Sequence, residues 1–344
     1  MTTEVATRPV HSPPDHPPVM RPKVGVLLTN LGTPDGPDVA SVKRYLGEFL
    51  SDPRVVELPQ LLWQPILRGF ILNTRPKKSA HAYGLVWTAD GSPLAAITKA
   101  QSVGLQGAFG PTVMVDWAMR YGKPAIAERV AAMKDAGCER ILLAPLYPQY
   151  CAATTATAND RAFEALGKMR WQPAIRTLPP YYETPEYIDA LKTSIEAGLS
   201  ALDFAPDKII ASFHGMPLRT LEMGDPYHCH CRKTARLLSE AMGREVVVTF
   251  QSRFGRAKWL EPATDTVLEA MPGEGVKKVA IFAPGFSADC LETLEELQIR
   301  GRESFEEAGG THFAYIPCLN ATETGLAMLR KVIARELAGW VDVP

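Results

Sequence analysis

Short, mostly apolar stretches alternate along this chain with longer amphipathic stretches. Residues 24–30, 208–213 and 279–283 have few polar side chains and no helical spacing, which is typical of strands buried on both faces of a sheet. Longer segments, among them residues 185–202 and about 321–338, have the spacing of helices. Strands that alternate with helices predict α/β structure, with a parallel sheet covered by helices on both faces.

The alternation occurs twice. Three pairs of segments correspond in the same order: residues 24–30 with 208–213, 115–123 with 248–256, and 137–145 with 275–284. We therefore predict two similar doubly wound domains with parallel sheets, at residues 21–178 and 179–344, and a disordered tail over residues 1–20. The carboxyl ends of both sheets should face an inter-domain cleft, the expected ligand site. Whether the last helix packs back onto the first domain stays open.

Composition and charge narrow the range of functions. The 344 residues have a formal net charge of −1, so nothing favours nucleic acid as a partner. No apolar stretch is long enough to span a membrane, and six cysteines without an export signal indicate reduced thiols and a cytoplasmic protein. The loop after the first strand lacks the glycine-rich fingerprint of dinucleotide sites, and no phosphate-binding lysine follows it. We therefore do not expect a dinucleotide or a nucleoside triphosphate bound in the usual glycine-rich way.

Two segments of the second half carry the candidate chemistry. His214 follows a predicted strand directly, and Gly215 then breaks that strand. After the strand at 279–283, the sequence predicts a helix with Asp289, Glu292 and Glu296 on one face. Like charges four residues apart repel each other, and a bound cation would offset this repulsion. The carboxylates on this helix face therefore indicate a cation site.

An apolar segment at residues 55–72 is flanked by basic residues. Pro59 and Pro65 are expected to divide it into short pieces, and Arg75, Lys77 and Lys78 follow it. One interpretation is a helix that faces the core. The other is a lip, at about residues 44–78, that grips a large flat apolar ligand and that could also rest on a membrane surface.

The chain resembles the ferrochelatases of proteobacterial type from Val24 to about Trp340. The similarity rests on a series of motifs in the same order: residues 30–34, 120–122, 145–150, 212–215, 224–227, 251–255 and 289–296. It implies two Rossmann-like domains with a porphyrin in the cleft. It also implies a lyase, a metal chelatase that inserts ferrous iron into protoporphyrin IX and forms protohaem in the last step of haem biosynthesis. Iron would be a substrate, and no cofactor would be required.

The resemblance also implies roles for individual residues. His214 and Glu292 match the catalytic and metal-binding pair, and Asp289 and Glu296 match carboxylates that line a path for protons or metal. Leu31 matches a residue on the porphyrin face opposite the histidine. The positions that hold the macrocycle match Arg120, Tyr121, Tyr147 and Trp259. Cys290 departs from the family, because many relatives have histidine there.

Several alternatives stay open at this level. His214 would act either as the acceptor of the pyrrole protons or as the last ligand of the iron, because imidazole does both near neutral pH. Coproporphyrin, or another tetrapyrrole and metal, is an alternative substrate. A non-catalytic porphyrin or haem carrier is the alternative from another class.

The remaining questions concern cofactors and partners. Residues 228–231, His-Cys-His-Cys, have ligand types that suit zinc, but adjacent side chains cannot all point at one ion. A [2Fe–2S] cluster is not favoured, because Cys229 and Cys231 would need further thiolate partners. The expected location is the cytoplasm, with the inner face of the membrane as an alternative. Monomer and homodimer are equally compatible with the sequence.

Overall fold

A computed structural model describes residues 13, 15, 23–255 and 257–343. The tail predicted for residues 1–20 lies almost entirely outside the described residues. In the first half the elements are, in chain order, β1 (Lys23–Gly32), α1 (Val39–Phe49), α2 (Gln60–Ile66), a π-helical turn (Leu67–Ile71), α3 (Leu72–Val86), α4 (Pro93–Phe109), β2 (Val113–Tyr121), α5 (Ile126–Asp135), β3 (Cys138–Pro145), a second π-helical turn (Ala152–Ala156), α6 (Thr157–Gly167) and β4 (Ala174–Thr177).

The second half has the same alternation. Its elements are α7 (Pro185–Ser200), β5 (Lys208–His214), α8 (Leu218–Glu222), α9 (Tyr227–Met242), β6 (Val246–Gln251), α10 (Thr264–Ala270), a 3₁₀ turn (Met271–Glu274), β7 (Lys278–Phe282), a π-helix (Glu292–Gly301), α11 (Arg302–Glu307), β8 (His312–Ile316) and α12 (Glu323–Leu337).

Each half contains a four-stranded parallel sheet, and the two strand orders are equivalent. The first sheet has the order β2-β1-β3-β4 and the second the order β6-β5-β7-β8. The turns after β2 and β6 also correspond. The Met119 N–H donates to the Pro124 carbonyl at 2.7 Å, and the Phe250 N–H donates to the Pro262 carbonyl at 2.8 Å. The predicted α/β fold with two similar halves is confirmed.

The two halves share a core. One apolar cluster includes Val26 and Leu28 of β1, Ile209 and Ala211 of β5, and side chains of α7, α9 and α12. Strands rich in Val, Ile and Leu are buried on both faces because helices cover both sides of each sheet.

The last helix ties the second half to the first. α12 packs against α7 and α4, and Gly104 of α4 leaves room for the Leu326 side chain of α12. At the end of α12, Arg176 donates to the Glu336 and Ala338 carbonyls at 2.7 and 3.0 Å. Inside the molecule, the buried Gln101 amide of α4 donates to the carbonyls of Ser287 and Asn320, both at 3.0 Å. The open question about α12 is thus answered: it packs on both halves.

The apolar segment forms a lip of unbroken helical geometry at residues 60–86. The prediction that Pro65 would divide it was wrong. Pro65 lies inside α2, and a π-helical turn continues the helix after it. Leu67 is fully buried, whereas Leu61, Leu62 and Phe70 are 92%, 68% and 63% exposed. The segment therefore presents part of its apolar surface to solvent. Within the described residues, no helix has both the length and the apolar character needed to cross a membrane.

Candidate active site

His214 is the last residue of β5, where the backbone passes very close to β6. A side chain at Gly215 would place its Cβ 2.5 Å from the Gln251 carbonyl oxygen, so only glycine fits there. The Gly215 N–H donates to that carbonyl at 2.7 Å, and the Tyr227 hydroxyl donates to the His214 carbonyl at 3.0 Å. These two bonds fix the backbone on both sides of the histidine.

The His214 ring has a defined tautomer. Its Nδ1 lies 2.7 Å from the Gly215 carbonyl oxygen. A carbonyl can only accept, so Nδ1 must carry a proton and donate it. In the neutral ring, the other nitrogen, Nε2, then has a free lone pair. The ring can use this nitrogen to take a proton or to bind a metal.

The π-helix begins at Glu292, and buried Gln251 connects it to the strand of His214. The Gln251 side-chain amide donates to the Glu292 carbonyl at 2.8 Å and accepts from the Ser212 hydroxyl at 2.8 Å. Because Gln251 is also the register partner of His214, one buried side chain sets the spacing between the histidine and the acidic helix.

Glu296 lies one turn beyond Glu292 and belongs to the same electrostatic cluster. Burial raises the pKa of its carboxyl above the usual range, and the charge of Glu292 acts in the same direction. Hydrogen bonds from Ser252, the positive charge of Arg300 and that of His214 when its ring is protonated oppose that shift. In a π-helix the hydrogen bonds span five residues, so side chains four apart remain close to one face. Both glutamates lie on this π-helix, and the prediction that they share a face stays a prediction.

Neutral hydroxyl and thiol groups surround Glu292 on the side of the first domain. Burial raises the pKa of Tyr45, Tyr83 and Cys290, and the charge of Glu292 raises all three further. Burial therefore favours the protonated thiol at Cys290, beside Glu292.

Asp289 does not lie on the helix face with the two glutamates. The helix begins after it, and its carboxylate accepts from the hydroxyls of Thr293 and Tyr315 at 3.0 and 2.5 Å and from the Asn320 amide at 2.6 Å. The expected alignment of Asp289 with Glu292 and Glu296 was wrong, because α-helical spacing was extended into a segment that is not helical. These contacts occupy the carboxylate and anchor the start of the helix.

Arg120 and Tyr121, at the end of β2, are held by the buried carboxylate of Asp52. The Arg120 guanidinium pairs with this carboxylate, and the Tyr121 hydroxyl donates to it at 2.8 Å. Arg120 also donates to the Thr157 hydroxyl at 2.6 Å, and its guanidinium carbon lies 4.3 Å from the centre of the Tyr121 ring. The polar groups of both residues are already engaged within the protein, and their predicted contact with a substrate stays a prediction.

The other predicted cleft residues keep free surfaces or free polar atoms. Leu31 is partly buried between the apolar cluster under the lip and the cluster that contains Cys290. The buried Tyr147 hydroxyl has no hydrogen-bond partner among the described residues. The Trp259 ring lies 3.4 Å from where a Cβ on Gly215 would be, and its N–H donates to the Phe254 carbonyl at 3.1 Å.

Leu31 and His214 occupy equivalent positions in the two halves. Leu31 lies between the residues of β1 that pair with Met119 and Tyr121, and His214 pairs with Gln251 of β6. Each is followed by a glycine that packs against the neighbouring strand. The repeat therefore places an apolar side chain and an imidazole at matching ends of the two central strands.

Four residues of this region were not among the predicted site residues: Asp52, Tyr83, Gln251 and Ser252. Gln251 and Ser252 belong to the motif at residues 251–255, which indicates the family but does not indicate the role of either residue. Nothing in the sequence near Asp52 or Tyr83 marks them. The His-Cys-His-Cys run lies on α9, where Cys229 is exposed and Cys231 is buried. Among the described residues, no three His, Cys, Asp or Glu side chains are grouped so that they could hold a metal ion.

Comparison with known proteins gives a consistent result. The family model described as ferrochelatase matches residues 23–337. Proteins named ferrochelatase from Rhizobium meliloti and Agrobacterium fabrum are 57% and 52% identical to this chain, covering 95% and 99% of it and 98% and 100% of their own lengths. Among solved structures, SirB from Bacillus subtilis with Fe3+ has a TM-score of 0.56 at 13% identity, covering 92% of this chain and 96% of its own. That likeness concerns the fold.

Proposed function

The chain belongs to the ferrochelatase family and makes protohaem by inserting ferrous iron into a porphyrin, and we propose that His214 removes the pyrrole protons in this reaction. Insertion breaks two pyrrole N–H bonds, releases two protons and leaves the iron bound to the ring nitrogens. A base near neutral pH is needed on one face of the macrocycle. The observation that carries the proposal is the His214 tautomer, because the Nδ1 contact with the Gly215 carbonyl leaves Nε2 free to accept a proton.

Glu292 and Glu296 form the second part of the proposal. His214 and Glu292 both lie close enough to Glu296 to shift the pKa of its carboxyl. Carboxylates in this position can take protons from the imidazole and pass them toward solvent, or guide a divalent cation inward. Glu292 with His214 offers an oxygen and a nitrogen donor to ferrous iron as it passes. Asp289 is left out of this path because its carboxylate is bound by Thr293, Tyr315 and Asn320.

The cleft side chains would hold the macrocycle by apolar contact. Leu31 and Trp259 offer apolar surface, and the unpaired Tyr147 hydroxyl offers one polar contact. A flat, largely apolar substrate is compatible with this lining. Arg120 and Tyr121 would shape the wall through Asp52 without binding the substrate charge directly.

We propose further that the reaction needs no bound cofactor. A metal cluster on α9 would need Cys229 and Cys231 together, yet one is exposed and the other buried. Burial raises the pKa of the Cys231 thiol well above its usual range, which disfavours the thiolate that clusters require. Anaerobically purified protein should show no absorption of an iron–sulfur cluster; a cluster spectrum with matching iron content would overturn this proposal.

The test of the active site is an anaerobic insertion assay with protoporphyrin IX and ferrous iron, followed by loss of porphyrin fluorescence. His214→Ala should abolish insertion while porphyrin binding is retained, and Glu292→Gln should slow it strongly. His312→Ala is the matched control, because His312 lies exposed on β8 and should behave as wild type. Near-normal turnover of His214→Ala would refute the proposed role in both forms, as base and as iron ligand.

The lip supports a peripheral membrane contact. Leu61, Leu62 and Phe70 project into solvent, and Arg75 and Lys77 follow on the same helical segment. Exposed apolar side chains beside basic ones favour anionic lipid surfaces. Leu61→Ser with Phe70→Ser should reduce co-sedimentation with anionic vesicles, whereas Val103→Ser, 64% exposed on α4, should not. Equal sedimentation of all three proteins would refute the membrane contact.

A further inference from the structure

Ser252 follows β6 directly and has an unusual backbone conformation. Its φ is +66°, in the left-handed region that residues other than glycine seldom adopt. Its N–H donates to one carboxylate oxygen of Glu296 at 2.7 Å, and its hydroxyl donates to the other oxygen at 2.6 Å. One residue thus binds both oxygens of a largely buried acid.

The neighbours of Ser252 hold this arrangement in place. On one side, Gln251 is fixed by its bond to the Glu292 carbonyl. On the other, Arg253 pairs with Asp265 at 2.7 Å and with the Thr266 hydroxyl at 3.0 Å. The backbone on either side of Ser252 is therefore anchored. An unfavourable conformation that the surrounding structure maintains is most often found at functional sites.

The two bonds determine what Glu296 can do. With both oxygens bound on one edge, the carboxylate cannot rotate freely about its last bond. Arg300 lies 4.0 Å away on the same helix and adds only a weak ion pair. The orientation of the acid toward the His214 and Glu292 cluster is thus set mainly by Ser252.

We propose that Ser252 is a positioning residue for iron insertion, which fixes the Glu296 carboxylate so that it serves the metal and proton path without swinging. This inference rests on the proposed role of Glu296. A carboxylate held in this way would present one oriented edge to an incoming cation or proton. Loss of the hydroxyl should therefore impair the use of iron and leave porphyrin binding unchanged.

The experiment is a double-mutant cycle of Ser252→Ala and Glu296→Gln, with kcat and KM measured separately for ferrous iron and for protoporphyrin IX. By analogy with groups that orient metal-binding carboxylates, each single change should lower kcat/KM for iron by about 10- to 100-fold. The double variant should be scarcely worse than Glu296→Gln alone, because Ser252 acts through Glu296. The KM for porphyrin should stay within about twofold of wild type in this view.

Two further variants separate the hydroxyl from the backbone. Ser252→Gly keeps the N–H bond and adopts a positive φ freely, so its iron kinetics should fall as far as those of Ser252→Ala. His312→Ala changes an exposed side chain on β8 and should retain the activity of wild type. Circular dichroism and porphyrin binding confirm that each variant is folded.

The outcomes are distinguishable. Full activity of Glu296→Gln would refute the proposed path and this inference with it. An impaired Glu296→Gln with a fully active Ser252→Ala would refute the role of Ser252 alone. Activity lost in Ser252→Ala but kept in Ser252→Gly would mean that backbone strain is responsible, and additive losses in the double variant would mean that Ser252 acts elsewhere.

Discussion

The buried pair between Asp52 and Arg120 supports the sharpest prediction about stability. The Asp52 carboxylate accepts from Arg120, from the hydroxyls of Tyr121 and Thr157, and from the Arg54 N–H at 2.8 Å. The side chains of Asp52 and Arg120 are only 5% and 12% exposed. Asp52→Ala would leave a buried guanidinium without its counter-ion, and removal of one partner of such a pair costs about 3–5 kcal/mol.

This cost translates into a measurable shift of the melting temperature. For a domain of 150–250 residues, each kcal/mol lowers the Tm by about 2–4 °C, so Asp52→Ala should lower it by about 6–20 °C. Asp52→Asn keeps the shape and removes the charge, and it should fall between Asp52→Ala and wild type. Scanning calorimetry at neutral pH is the direct measurement.

The chain offers a matched control for this prediction. Asp160 pairs with Arg54 nearby, but these side chains are 44% and 40% exposed. An exposed pair contributes about 0–1 kcal/mol, so Asp160→Ala should scarcely change the Tm. Equal Tm shifts for Asp52→Ala and Asp160→Ala would refute the argument that the buried Asp52 network stabilises this part of the protein.

Three further predictions follow from contacts described above. Burial alone would raise the pKa of Asp52, but hydrogen bonds from Thr157 and other donors and the Arg120 charge hold it below its usual range. A lowered folded-state pKa stabilises the protein fully above about pH 4, and the benefit is lost as the pH falls through the folded-state pKa, so the stability difference between wild type and Asp52→Asn should shrink in acid titrations followed by circular dichroism. The Arg75 guanidinium of the lip lies 5.4 Å from the centre of the Phe254 ring, and so joins the lip to the second half. Arg75→Gln should change the KM for porphyrin by about two- to fivefold, as expected for a contact of about 0.5–1 kcal/mol, with kcat unchanged; no change in steady-state kinetics would contradict this. Gln101→Leu would leave the Asn320 carbonyl without its donor and the Ser287 carbonyl with only the Asn320 N–H, so denaturant unfolding should show a loss of about 1–3 kcal/mol, and an unchanged midpoint would contradict it.

The general architecture could be read from the sequence because it depends on local patterns. The run that ends in His214 is apolar enough to require burial on both faces, and the break at Gly215 marks where the strand stops. The repeat was visible because each half must build the same strand order. The lip was expected from its apolar side chains, although the effect of Pro65 was not, since helices can absorb a proline through a wider turn.

The details of the site depend on contacts between residues far apart in the sequence. Asp52 meets Arg120 across 68 positions, and no local pattern around either residue indicates the pairing. The positive φ of Ser252 could not be predicted, because serine gives no sign of the left-handed conformation that glycine would. Asp289 was misplaced because helical spacing was assumed one turn too early.

The equivalence of Leu31 and His214 has a consequence for stereochemistry. A planar macrocycle has two faces that are nearly alike, and a cleft built from two identical halves would treat them alike. Here one matching strand end carries a hydrocarbon and the other an imidazole held in a single tautomer. The two similar halves thus give the cleft two matching sides, and the different residues at this one position make only one side polar. If His214 removes the pyrrole protons as proposed, the two faces of a bound ring are not interchangeable, and deprotonation takes place at one of them.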